Sequence, residues 1–208
     1  MDILGRLEAA MPEAHIELDH RTPLELLVAV ALSAQTTDRR VNLVTPALFQ
    51  DFPTAAHYAR ATPAALEPYL RSVGLFRTKA RNLVALGQAL EASHQGQVPT
   101  SRAALAELPG VGLKTAGVVA MHLGTDFAFP VDTHVLRLAG RMGLSRASTP
   151  DGVEADLQRL VPRPRWFLGH QLLVWHGRRV CHARSPECHR CVAEPLCPRR
   201  GVKERKKP

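Results

Sequence analysis

The stretch "SRAALAELPGVGLKTAGVVAMHL", Ser101 to Leu123, decides the fold. Apolar residues recur at helical spacing on either side of "PGVG", so the pattern predicts two helices joined by a tight glycine hairpin. Glycines at 110 and 112 can take positive φ and bring bare backbone close to another surface. Amides exposed there, together with the N-terminus of the second helix, form a nest for one phosphate oxygen.

Lys114 falls in the first turn of that second helix, where its charge faces the positive end of the macrodipole. The field, together with partial burial, would favour the unprotonated amine, and a free amine is what a Schiff-base nucleophile requires. A phosphate-binding lysine beside the hairpin is the other reading. Downstream, "FPVDTHVLRLAGRMGL" puts Asp132 directly before a helix. The ordinary role there is N-cap; the chemical one is an essential carboxylate that accepts a proton or stabilises a cationic sugar transition state. Pro-Gly-hydrophobe-Gly matches the helix-hairpin-helix that grips a DNA backbone without reading its sequence, with an ordinary helix-helix corner as the alternative.

With 208 residues, 45% of them hydrophobic, the chain can bury a core in one large domain or two small ones. No stretch alternates apolar with polar over a strand's length, which predicts an all-α protein. "TPLE", Thr22 to Glu25, is a capping box that opens the buried-looking helix "LELLVAVALSAQ". Thr62-Pro63 and Thr149-Pro150 repeat the start signal, whereas Thr45-Pro46 is expected to kink or restart a helix. Further helices are expected near 4–11, 38–49, 54–60, 76–93, 101–108, 114–123, 133–142, 153–161 and 165–176. A shift toward Arg, His and Pro places a boundary near 127–131.

Lys plus Arg exceed Asp plus Glu by eight. The surplus favours a polyanionic partner through steering and counterion release, an Arg-rich proteome being the plain alternative, and the tail "RRGVKERKKP" reads as a basic end. The longest apolar run, Leu26 to Leu32, is far short of the roughly 20 residues a membrane helix needs. Asp2, Glu8, Glu13 and Glu17 argue against a secretory signal, so a cytoplasmic location is expected. Cys181, Cys188, Cys191 and Cys197 are the only cysteines and follow Cys-x6-Cys-x2-Cys-x5-Cys. Such a cluster in a chain without an export signal reads as metal ligands, with zinc and an iron-sulfur cluster both open on spacing alone.

"LSAQTTD", "VGLFRTKARNL", "LPGVGLKTAGVV", "VDTHVLRLAGRMGL", "WHGRRVC" and the four-cysteine loop, in that order, strongly resemble bacterial endonuclease III across about Thr22 to Cys197. The resemblance implies a base-excision-repair DNA glycosylase and abasic-site lyase acting on oxidised pyrimidines such as thymine glycol in double-stranded DNA, nucleoid-associated and monomeric. It implies two helical domains flanking a DNA groove. Residues 19–127 would form a six-helix barrel with the helix-hairpin-helix at 101–123, and residues 1–18 plus 128–208 the cluster domain, with its loop at 181–197.

By the same resemblance Lys114 is the nucleophile and Asp132 the essential carboxylate. Cys181, Cys188, Cys191 and Cys197 would hold a 4Fe-4S cluster, and Gly110 and Gly112 the DNA phosphate. Gln35 and Leu75 would fill the gap left by a flipped nucleotide; read by residue type alone, Leu75 is a core residue and Gln35 a helix-end polar one. Asp38 and His134 would line the pocket region, and Arg184, with Arg190, would meet DNA. The chain departs from the family in "HARSPE" between the first two cysteines, where Ser185 and Glu187 weaken a usually lysine-rich grip, and in Gly117, where asparagine is frequent. A related adenine glycosylase lacks the nucleophilic lysine and carries a further C-terminal domain, whereas this chain has Lys114 and ends soon after Cys197. A relative specialised for pyrimidine dimers and a non-catalytic zinc-bearing DNA-binding module are the remaining alternatives.

Overall fold

The computed structural model describes residues 2–125 and 129–202, and the regular structure among them is helical throughout. In chain order the helices are α1 Ile3–Ala10, α2 Pro23–Ser33, α3 Asp38–Asp51, α4 Ala55–Arg60, α5 Pro63–Leu70, α6 Phe76–His94, α7 Arg102–Ala106, α8 Leu113–His122, α9 Thr133–Arg141, α10 Pro150–Leu160 and α11 Trp166–Arg179. Short 3-10 turns follow at Arg163–Arg165, Cys188–Arg190 and Glu194–Leu196. The chain divides into two compact units, one of Ile16–Asp126 and one of Met1–His15 with Phe127–Pro208. The boundary expected at 127 and the last six residues of the basic tail lie outside the described residues.

The first of these units is built around α2. Its start is set locally, because Thr22 accepts a hydrogen bond from the Glu25 amide at 3.1 Å and the Glu25 carboxylate accepts one from the Arg21 amide at 2.5 Å. Leu26, Leu27, Val28, Ala29, Val30 and Leu32 are all buried, so apolar side chains on every side of α2 are covered. Around them pack Leu48 of α3, Tyr58 of α4, Leu66 and Leu70 of α5, Leu86 and Leu90 of α6, and Ala116, Val119 and Ala120 of α8. Gly87 permits the approach of α4 to α6, since a Cβ there would lie 2.5 Å from the Ala59 amide and 2.8 Å from the Ala55 carbonyl.

Two local expectations change. α3 runs through Pro46 without restarting, and Thr45 beside it is buried with a hydroxyl that makes no hydrogen bond. α7 stops at Ala106 rather than 108, in keeping with Pro109, which disfavours helical backbone at Leu108. The start signal at Thr62 opens α5, whose cap accepts from the Ala65 amide at 3.3 Å.

In the second unit Val135, Leu138 and Ala139 of α9, Val153 and Leu157 of α10, and Leu172, Leu173 and Trp175 of α11 share a core with Leu7 of α1 and Phe129. The N-terminal segment is tied in by an ion pair of Glu8 with Arg165 and by the Trp175 indole, which donates to the His15 carbonyl at 2.7 Å.

Candidate active site and cysteine centre

The hairpin forms as its residues dictate. The Val111 amide donates to the Leu108 carbonyl at 3.0 Å across Pro109 and Gly110, and Gly110 has φ +78°, the value the third position of a type II turn demands. A Cβ on Gly110 would also lie 2.8 Å from the Asn82 side chain. Gly112 differs from expectation: its φ of −82° is open to any residue, and nothing lies within 4 Å of where a Cβ would stand. Its place is the N-cap of α8, where a bare residue leaves the first-turn amides uncovered, and no acidic side chain occupies that turn. Lys114 stands exposed in the same turn, so the partial burial expected of it is not found.

Gln35 and Leu75 occupy two loops of this same unit. Both are exposed and both have left-handed backbone, φ 56° and φ 58°. For side chains other than glycine this costs about 1–2 kcal/mol per residue and persists only when neighbours enforce it. Leu75 is 61% exposed, which overturns the core assignment made from residue type alone; it ends up outside because it stands before the first turn of α6, and α6 buries Ala80, Leu83 and Leu86 instead. Asp38 opens α3 behind the Thr37 cap.

In the other unit Asp132 is the N-cap of α9, its Oδ1 accepting from the Val135 amide at 2.7 Å, and the residue is half-buried. His134 lies beside it with Nδ1 3.1 Å from Arg137 Nη2. Burial pushes the His134 ring below its ordinary value; Asp132 opposes this, while Arg137 and Arg178 add to it. Gly177 of α11 makes room for this pairing, since a Cβ would lie 2.9 Å from His134 Nδ1.

The cysteine loop follows α11. None of the four cysteines is in a disulfide, and all four line one pocket with Arg141, Met142, Val180, Pro186 and Glu187 among its walls. Among the described residues no three His, Cys, Asp or Glu side chains converge to hold a single ion. Burial pushes the Cys191 thiol up, the Ala193 amide pulls it back, and the other three cysteines push it up again. His176, buried, has Nε2 3.2 Å from Cys191 Sγ, and burial pushes that ring down to about 4.

Two arginines that sequence reasoning passed over hold the loop to α9. Arg137 Nη2 donates to the Gly177 and Cys181 carbonyls, both at 3.0 Å, and Arg141 donates to the His182 and Ala183 carbonyls at 2.7 Å and to Cys181 Sγ at 3.4 Å. Their four-residue spacing on one helix was the available signal. Arg184 and Ser185 are exposed. Arg190 is paired with Glu187 at 2.6 Å, and Glu187 also lies 3.4 Å from His182, so the acidic residue in "HARSPE" is spent on neighbours within the loop.

A helical protein with a type II glycine hairpin before an exposed lysine, and a four-cysteine loop, falls in a class of DNA-repair folds. The pattern defining the HhH-GPD superfamily of base excision DNA repair proteins matches residues 28–163. Endonuclease III of Synechocystis sp. is 44% identical over 95% of this chain and 90% of its own length, and that of Bacillus subtilis 42% identical over 98% and 93%. A solved structure of a trapped endonuclease III-DNA covalent intermediate matches with TM-score 0.89 at 41% identity, covering 95% of this chain and 93% of that one. The chain belongs to the endonuclease III family, and with it to the DNA glycosylase and abasic-site lyase enzymes of base excision repair. No helix among the described residues is long and apolar enough to cross a membrane.

Proposed function

We propose that this enzyme removes oxidised pyrimidines of the thymine glycol type from duplex DNA, as a nucleoid-associated monomer, with Lys114 as nucleophile. The observation that carries the reading is the placing of Lys114: an exposed amine in the first turn of α8, two residues after the bare Gly112 cap and four after the Gly110 turn. A phosphate oxygen suits the uncovered amides of that turn, and holding the backbone there brings a sugar within reach of the neighbouring amine. The relative trapped as a covalent intermediate with DNA supports a nucleophilic course.

The lesion must leave the stack, at a cost of a few kcal/mol that is smaller for a damaged base. Gln35 and Leu75, exposed on their loops, are the groups that would fill the space. The Lys114 amine attacks C1′, the bond from C1′ to the base breaks and the base leaves with a proton. The C1′–O4′ bond then breaks as the nitrogen lone pair forms the imine and O4′ takes up a proton; β-elimination removes a C2′ proton, forms the C2′–C3′ double bond and expels the 3′ phosphate. Asp132 takes a proton or stabilises the positive charge that develops at the sugar. Cys181, Cys188, Cys191 and Cys197 would hold a 4Fe-4S cluster. All four line one pocket and none is in a disulfide, so four thiolates are available to one centre there. The cluster would shape the loop that presents Arg184.

Borohydride trapping on duplexes carrying thymine glycol or an abasic site tests the reading. Wild type is expected to give the covalent adduct and Lys114→Ala none; an adduct with the alanine variant would show another nucleophile.

A further inference from the structure

Lys79 is the one buried lysine among the described residues, and its ammonium group is fully engaged. Nζ donates to the Leu32 carbonyl at 2.9 Å, the Ala34 carbonyl at 2.7 Å and the Thr36 hydroxyl at 3.0 Å. Two of these acceptors flank Gln35 directly, and the Leu32 and Ala34 carbonyls lie where α2 ends and its own ladder leaves acceptors open. The same residue reaches the other loop through its backbone, since the Lys79 amide donates to the Leu75 carbonyl at 3.0 Å.

The two loops also touch. A Cβ on Gly74 would lie 3.3 Å from the Gln35 carbonyl, tighter than ordinary contact, so the residue before Leu75 is bare where the Gln35 loop passes. Gln35 and Leu75 are two of only four non-glycine residues with positive φ in the described chain. Strained backbone at two adjoining exposed tips needs an anchor beneath them. An ammonium group with three donors around one nitrogen matches three acceptors arranged about a point, which a planar guanidinium does not.

We propose that Lys79 is a positioning residue that locks the Gln35 and Leu75 loops together, so that the two side chains enter the DNA as one preset element. The inference rests on the reading that Gln35 and Leu75 fill the gap left by the flipped nucleotide. Lys79 itself touches no substrate.

The test compares cleavage of an abasic site in duplex and in single-stranded DNA, because only the duplex has a gap to fill. It is paired with the fluorescence of 2-aminopurine placed opposite the lesion. For Lys79→Met, which keeps the stem and removes the donors, the duplex-to-single-strand ratio of kcat/KM is expected to fall about tenfold, the size of one hydrogen bond to a charged group. The 2-aminopurine signal on binding is expected to shrink. Lys79→Arg should fail to restore either, and Thr36→Val, a milder change for use if the methionine variant does not fold, should lower the ratio in the same direction. A merely structural role would lower both activities by one factor; an unchanged ratio in Lys79→Met and Thr36→Val overturns the proposal. Gln35→Ala and Leu75→Ala separate the two ideas. If they leave the ratio unchanged, the gap-filling reading is wrong; if they lower it while Lys79→Met does not, the lock alone is wrong.

Discussion

Asp132 Oδ1 accepts a hydrogen bond of 2.7 Å from the Val135 amide, so the carboxylate proposed for chemistry also starts α9. The two roles separate by substitution. Asparagine caps as well as aspartate but carries no negative charge, while alanine loses the cap at about 1 kcal/mol. Asp132→Asn should therefore keep the wild-type melting temperature and bind DNA while excising bases far more slowly, and Asp132→Ala should lose both activity and a few degrees of melting temperature. Thermal unfolding beside a single-turnover excision assay reads this, and normal turnover in the asparagine variant would leave Asp132 as a cap alone.

Leu75 carries left-handed backbone on an exposed tip. Glycine takes that conformation freely, at the cost of about 0.5–1 kcal/mol in unfolded-chain entropy, against about 1–2 kcal/mol of relieved strain. Leu75→Gly is expected to melt no lower than wild type and to excise poorly from duplex DNA. A marked loss of stability would show that the side chain holds the fold rather than serving DNA.

A Cβ on Gly87 would lie 2.5 and 2.8 Å from backbone atoms of α4. A methyl group there has nowhere to go, and overpacking of this kind costs about 1–3 kcal/mol. Gly87→Ala should lower the melting temperature by about 2–4 °C for each kcal/mol. Gly140, with nothing within 4 Å of its Cβ position, is the control and should tolerate alanine.

Ser145 donates to Asp156 at 2.6 Å, and this bond first, then Arg159, holds the Asp156 carboxyl below its ordinary 3.8. A carboxyl more acidic in the folded than in the unfolded chain stabilises the fold fully above its unfolded value, and the gain is lost as pH falls through the folded one. Ser145→Ala removes the largest of these contributions and narrows the gap between the two values, Arg159 remaining in place, so its acid unfolding, followed by circular dichroism, should begin at higher pH than wild type. Coincident acid limbs would show that the bond does not act through this ionisation.

The four cysteines give the test of the cofactor. Purified protein should contain iron and acid-labile sulfide and absorb in the visible, and Cys191→Ser should lose much of both. Zinc in a colourless wild-type protein would replace the cluster with a single-ion site.

What the sequence determined by itself is what adjacent residues settle. Pro109 fixes one φ and Gly110 alone tolerates the next, so the hairpin was legible; Thr22 with Pro23 and Glu25, and Thr149 with Pro150, likewise announce their helices through bonds spanning three residues. The cysteine spacing is a local signal of the same kind, and the resemblance added roles that spacing does not carry. What only the tertiary structure decided depends on residues far apart in sequence. Lys79 becomes an anchor because Leu32, Ala34 and Thr36, more than forty positions earlier, converge on one ammonium group. Leu75, apolar and core-like by type, is held exposed in a conformation its own side chain disfavours, and Arg141 finds its partners forty to forty-two positions on. Local sterics and caps act along the chain and can be read from it; burial and long-range hydrogen bonds exist only once the chain has folded back on itself.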